Sequence, residues 1–284
     1  MCGVIGIISK EGDVMEDGID LLNGENNRGE QACGAAVFDG KNTRFYRDEG
    51  WVSWVFSAKN YKRWSKLKGS VCVMQALYST IGRGGKEKQP MMFQPFVFGW
   101  RGHRVALAHN GNLVGLDELR KQARRAGYIF KSNSSDTEVI VALLAISKKK
   151  TFLEALLNVL KKIEGKGAFS LVIMYRGKIY GVRDQNGIRP LCFGKKNGDI
   201  DNYILASESS VFPSLRSARF IREIEPGELI VLGADGVEKS LKWTKNTNSK
   251  LCIAELIYFS NPAACYFGRS VYSFRVKTGQ VVAQ

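Results

Sequence analysis

Apolar and polar residues alternate along short stretches of this chain, and a period of two predicts β-strands over residues 4–9, 35–38, 44–47, 70–75, 105–110, 169–175, 179–183 and 203–207. Turn dipeptides separate them: Asp39-Gly40, Arg176-Gly177 and Asn197-Gly198, of which Arg176-Gly177 joins two runs as a hairpin. Elsewhere the spacing lengthens to three and four. Residues 14–23 carry Met15, Ile19 and Leu22 on one face, and residues 116–126 start after Gly115 and stop at Gly127. Asp136 begins a run with Val139, Ile140, Leu143 and Leu144, and Thr151 caps residues 152–163 with Leu153, Leu156, Leu157 and Leu160. Antiparallel strands mixed with amphipathic helices predict an α+β domain, sheets layered with helices outside. Neither an internal repeat nor a low-complexity linker interrupts it. Residues 240–250 are the most polar stretch, so a main domain is expected over 2–240 and a tail over 241–284.

Composition narrows the class. With 44 % hydrophobic and 24 % charged residues the chain reads as a soluble globular protein. The longest apolar run, residues 139–146, is too short to cross a bilayer, so no membrane span is expected. No basic, apolar and cleavage-site succession marks a signal peptide. Six cysteines, at 2, 33, 72, 192, 252 and 265, form no CxxC pair, which argues against a disulfide framework and suits a reducing, cytoplasmic setting. The net charge of +15 raises nucleic acid as a partner. Its distribution argues against one. Lys148 to Lys150 and Lys161-Lys162 follow apolar helical runs, where cations complement the helix dipole, and Arg120, Lys121, Arg124 and Arg125 read as one solvated helix face.

The candidate chemistry begins at the second residue. Aminopeptidases remove Met1 when a small side chain follows, which leaves Cys2 with a thiol and a free α-amine on one residue. The amine titrates near ~8 and the thiol near ~8.5, so the amine can act as base for its own thiol. Any extension ahead of Cys2 is then expected to abolish activity. A second motif supports a catalytic reading: Ala108-His109-Asn110-Gly111-Asn112-Leu113 ends a strand in an amide and a glycine. The Asn110 side chain and a backbone N–H beside Gly111 can both point at one oxygen, as an oxyanion hole requires. Asn-Gly also favours plain hairpin turns, and that reading stays open. His109 reads as structural, because the amine already supplies a base.

These segments and others in the same order resemble the glutaminase domain of the glutamine amidophosphoribosyltransferase family, class II amidotransferases with the N-terminal-nucleophile (Ntn) hydrolase fold. The matches are Cys2-Gly3-Val4-Ile5-Gly6, Asn27-Arg28-Gly29-Glu30-Gln31, Tyr78-Ser79-Thr80, Phe93-Gln94-Pro95-Phe96, Ser135-Asp136-Thr137-Glu138, Gly187-Ile188-Arg189-Pro190-Leu191 and Ala206-Ser207-Glu208-Ser209. The resemblance implies an αββα fold. It implies Cys2 as nucleophile, Asn110 with the Gly111 N–H as oxyanion hole, and Arg28 organising the nucleophile's surroundings in the substrate site. It also implies Thr80 in the glutamine loop, and Asp136 on the glutamine α-ammonium. Asp136 equally reads as a helix N-cap.

Three departures carry further expectations. Leu77 stands where the family has an arginine for the glutamine α-carboxylate, and Gln75 where a histidine is usual; Arg83 or Arg101 could substitute. The loop that cradles phosphoribosyl diphosphate is not in the sequence, so a separate phosphoribosyltransferase chain, or a truncated form, is expected. Leu251, Ile253, Leu256, Ile257, Tyr258 and Phe259 form an apolar stretch suited to a partner subunit or a homo-oligomer. No cofactor is expected for glutamine hydrolysis. Magnesium would belong to the transferase half, and an iron–sulfur cluster is not expected from Cys252 alone. The leading reading is a glutaminase that supplies ammonia for phosphoribosylamine in purine biosynthesis. The alternative is a pseudoenzyme acting as a binding or regulatory subunit.

Overall fold

The computed structural model describes residues 1–78, 92–198 and 200–284. From the N-terminus β1 (Gly3–Ser9), α1 (Met15–Asn23), β2 (Ala32–Phe38), β3 (Thr43–Glu49) and the single turns α2 (Val52–Val55) and α3 (Tyr61–Trp64) lead to β4 (Val71–Leu77). Next come β5 (Phe96–Trp100), β6 (His103–Leu113), α4 (Asp117–Arg125), α5 (Asp136–Ala145) and α6 (Phe152–Ile163). β7 (Gly167–Tyr175), β8 (Lys178–Arg183), β9 (Cys192–Lys196), β10 (Asn202–Ala206), β11 (Ala218–Glu223), β12 (Glu228–Gly233) and β13 (Gly236–Lys242) follow. The C-terminal segment holds a π-helical turn (Glu255–Phe259), β14 (Cys265–Tyr266), β15 (Arg269–Ser270) and α7 (Val271–Val282).

The strands form two antiparallel sheets. One has the order β11-β9-β10-β1-β4-β2-β3, the other β13-β12-β8-β7-β6-β5, and β14 pairs with β15 apart from both. Val4, Ile8 and Val73 of the first sheet pack against Ala106, Ala108, Val172 and Ile179 of the second. Glycine sets how close they come. A Cβ on Gly6 would lie 2.7 Å from Val172 Cγ1, and one on Gly181 would lie 2.5 Å from Leu205 Cδ1. The outer face of β1, Ile5 and Ile7, meets Met15, Leu21 and Leu22 of α1. On the other side Val139, Ile140, Leu156 and Leu160 of α5 and α6 cover Leu107, Phe169 and Leu171. The result is the helix–sheet–sheet–helix sandwich expected of an Ntn-hydrolase fold. β1 is covered on both faces, which is why its apolar run is almost unbroken.

All eight anticipated strands and all four helical runs are present, and the Thr151 cap is a complete capping box with Glu154. Arg176 (φ 49°) and Gly177 (φ 72°) make the hairpin turn between β7 and β8. Three expectations are revised. Ser135, not Asp136, caps α5, its hydroxyl accepting from the Glu138 N–H at 3.1 Å. Arg120 leaves the solvated face of α4: it donates to the carbonyls of Ser132 and Ser135 at 2.9 and 2.8 Å and stacks on Phe130. The boundary expected after residue 240 falls inside β13, and Trp243 beyond it is buried, donating to the Arg183 carbonyl at 2.9 Å. Among the described residues no helix is long and apolar enough to cross a membrane.

Candidate active site

The N-terminus is threaded between the two sheets. Gly3 pairs with Ala76 at the end of β4, so Cys2 lies where β4 leaves its sheet. Its thiol is buried and donates to the Tyr78 carbonyl at 3.8 Å. Burial pushes the thiol up from its ordinary value, opposed by the nearby amine and by Arg28. Met1 is buried against Arg189. Burial lowers its α-amine to about 5, with Arg28 and Arg189 acting in the same direction, so that amine is neutral at pH 7. That amine sits on Met1, one residue away from the Cys2 thiol. The base reaches the thiol's own residue only once Met1 is removed.

Arg28 lies behind the nucleophile rather than in the substrate cleft. Its Nε donates to the Cys2 carbonyl at 3.1 Å, and its other nitrogens meet Glu208 at 2.6 Å and Glu255 at 3.1 and 3.2 Å. All three side chains are buried. It therefore engages the main chain of Cys2 and is not among the residues that line the cleft.

The candidate oxyanion donors, Asn110 and Gly111, lie on β6. The Cys2 N–H donates to Asn110 Oδ1 at 3.2 Å, which orients the amide. Asn110 Nδ2 is left buried with no partner among the described residues. Such a donor is costly unless a ligand completes it. The Gly111 N–H follows from sheet parity. Phe169, opposite Gly111, directs its C=O and N–H to Asp184, so the two face each other as a non-hydrogen-bonded pair. The N–H groups of His109, Gly111 and Leu113 thus share the edge turned away from β7. Gln94 Oε1 takes the first at 2.7 Å, and Asp136 Oδ2 takes the third at 2.8 Å. The Gly111 N–H between them faces the cleft. A side chain is excluded there, since a Cβ would sit 2.4 Å from the Ala168 oxygen and 2.5 Å from His109 Nε2.

Cys2, Leu77, Tyr78, Gly111, Leu113 and Asp136 line one cleft, together with Met92, Gln94, His109 and Thr137. Asp136 opens α5 and is fixed by the N–H groups of Thr137 at 2.6 Å and Leu113 at 2.8 Å. Its partly exposed carboxylate is the charged group of the cleft among the described residues. His109 is buried, with Nδ1 2.9 Å from Thr137 Oγ1, and burial lowers its pKa, so it is a neutral spacer. Gln75 donates to the His109 carbonyl at 2.8 Å and ties the two sheets together beneath the cleft. Leu77 brings an apolar wall. Arg101 cannot serve in its place, since it lies on the β5–β6 turn and donates to the carbonyls of Lys148 and Lys149. Thr80 and Arg83 lie outside the described residues. Sequence reasoning assigned no role to Gln94, Glu208 or Glu255. The first two sit in quoted motifs, whereas Glu255 carries no local signal.

Comparisons agree with this geometry. Residues 83–214 match the family described as a glutamine amidotransferase domain. The chain is 34 % identical to the amidophosphoribosyltransferase of Bacillus subtilis, covering all of this chain and 56 % of that protein. It is 35 % identical to that of Methanocaldococcus jannaschii, covering all of this chain and 61 % of that protein. A solved structure of the B. subtilis glutamine phosphoribosylpyrophosphate amidotransferase, complexed with ADP and GMP, superposes with a TM-score of 0.86 at 33 % identity, over all of this chain and 58 % of the other. The chain thus spans little more than half the length of the curated relatives it matches. In sequence and fold the chain is similar to amidophosphoribosyltransferases, and over residues 83–214 to a glutamine amidotransferase domain.

Proposed function

We propose that this chain works as a glutaminase, with Cys2 as an N-terminal nucleophile once Met1 has been removed. The thiol gives its proton to the α-amine, and sulfur attacks the side-chain amide carbon of glutamine. Asn110 Nδ2 and the Gly111 N–H receive the oxyanion. Collapse breaks the C–N bond, the ammonium returns the proton, and ammonia leaves. Water then cleaves the glutamyl thioester to glutamate and regenerates Cys2. Asp136 holds the substrate's α-ammonium by a charge-assisted bond. One observation carries the reading: beside a buried Cys2 lie a buried amide donor without a partner and a backbone N–H turned into the same cleft.

The ammonia would serve phosphoribosylamine formation in purine biosynthesis, as the names of the relatives suggest. The phosphoribosyl acceptor site would be supplied by a transferase subunit, and the apolar tail would meet that subunit or a second copy of this chain. Ile253, Ile257 and Tyr258 of that tail are 53–70 % exposed, while Leu256 is buried. The glutaminase step needs no cofactor.

The test is glutamate release from glutamine by the purified chain, with Met1 removal confirmed by intact mass. Release that vanishes in Cys2→Ala supports the reading; release that persists overturns it. Leu77 favours a second reading, a pseudoenzyme with a binding or regulatory role, because the described cleft offers a carboxylate no cation. Leu77→Arg separates the two. In a working glutaminase it lowers the KM for glutamine by about tenfold or more, as a guanidinium–carboxylate pair should. A chain that stays silent with and without the arginine is the pseudoenzyme.

A further inference from the structure

Arg28 is held by two buried carboxylates, and they hold it differently. Glu208 Oε1 meets only Nη1, at 2.6 Å. Glu255, 227 residues further along the chain, engages both ends of the fork: Oε2 accepts from Nη1 at 3.1 Å and Oε1 from Nη2 at 3.2 Å. The Ser260 hydroxyl donates to Glu255 Oε2 at 3.3 Å and steadies the carboxylate. A guanidinium is a rigid plane, so fixing Nη1 and Nη2 also fixes the direction of Nε. Nε is the atom that donates to the Cys2 carbonyl. With Glu208 alone the fork could pivot about a single contact and release that carbonyl.

We infer, building on the glutaminase reading, that Glu255 is a positioning residue for the nucleophile, acting through Arg28, and that the C-terminal turn is therefore part of the active site. The same turn buries Leu256 and presents Ile257 and Tyr258 outward. A displacement of its outer face reaches Cys2 through two hydrogen-bonded links. The other titratable and charged groups facing this cluster are Arg189, whose Nη1 lies 3.7 Å from Glu255 Oε1, Glu25, Tyr266, Asp136 and the α-amine itself.

The experiment uses the full chain with Met1 removed and measures two things: the rate of Cys2 alkylation by iodoacetamide across pH, located by mass spectrometry, and glutamate release. Glu255→Gln keeps the shape and removes the charge. If Glu255 positions Arg28, the high-pH plateau of alkylation falls about tenfold or more, and kcat falls with it while KM changes little. Glu255→Asp keeps the charge but shortens the arm, and its plateau falls by an intermediate amount. If Glu255 merely neutralises Arg28, removing the anion moves the alkylation midpoint to lower pH and leaves the plateau unchanged. That result, or a plateau and kcat equal to those of the parent, overturns the inference. Should Glu255→Gln fail to fold, an unchanged plateau in Glu255→Asp overturns it as well. A lowered plateau in Glu255→Gln, beside a parent chain that never releases glutamate, would keep the positioning role and remove the glutaminase reading.

Discussion

Asn110 is where a single side chain decides most. Its Oδ1 is already engaged by the Cys2 N–H, so only Nδ2 is left for the reaction. Asn110→Ala should lower kcat by about a hundred- to a thousandfold with a small change in KM, the signature of a donor used in the transition state. Steady-state glutamate release checks this. Glu25 makes a different prediction. Oε1 accepts from the Ser207 and Glu208 N–H groups at 2.6 and 3.1 Å, Oε2 has no partner among the described residues, and burial raises the carboxyl to about 8. The folded chain therefore keeps the proton that the unfolded chain loses near pH 4.5. The stability this gives is complete below that pH and is lost as pH climbs towards about 8. Glu25→Gln mimics the neutral acid, so its melting temperature should fall less than that of the parent between pH 5 and 8. Equal slopes in thermal melts would mean that Glu25 is ionised when buried.

At the scale of elements, the site depends on how α5 is presented to β6. Arg120 on α4 holds the Ser132 and Ser135 carbonyls, and Asp136 follows directly. Arg120→Ala should loosen this loop, raising the KM for glutamine several-fold with kcat nearly kept, which initial-rate kinetics would read. Local signals and burial account for part of what the sequence revealed, although the wholly buried β12 was not among the anticipated strands. Thr151 with Glu154 is a local signal, and α6 was readable from it. β1 and β7 are runs buried on both sides, and they too stood out. β11 and β13 are edge strands with mostly exposed or half-exposed residues, so their alternation is weak. α7 lacks a clear apolar stripe: only Val271 is buried, and Gly279 lies within it. The candidate site was legible where it is local in sequence, as at Cys2 and Asn110-Gly111. The resemblance put Arg28 around Cys2, but nothing nearby in the chain reveals Glu208 and Glu255 as its partners. Long-range pairing by a folded segment leaves no period to read.

Across the whole molecule, the two sheets act as one device. Gln75 bonds the His109 carbonyl, Gln94 holds the His109 N–H, and the Cys2 N–H meets Asn110, so each sheet fixes the other's contribution to the cleft. The C-terminal segment closes the assembly from behind through Glu255. Met1 is buried in the folded chain, and on the proposed mechanism its removal is part of activation. Chain produced with methionine excision blocked should fold and melt like the processed chain yet release no glutamate. The central claim is that Cys2 becomes acylated by glutamine, and rapid-quench intact-mass spectrometry tests it most directly. The account predicts a glutamyl adduct that maps to Cys2 in the Met1-free chain and is absent from Cys2→Ala. Glutamate release with no adduct on Cys2, or an adduct mapping to another residue, would contradict it.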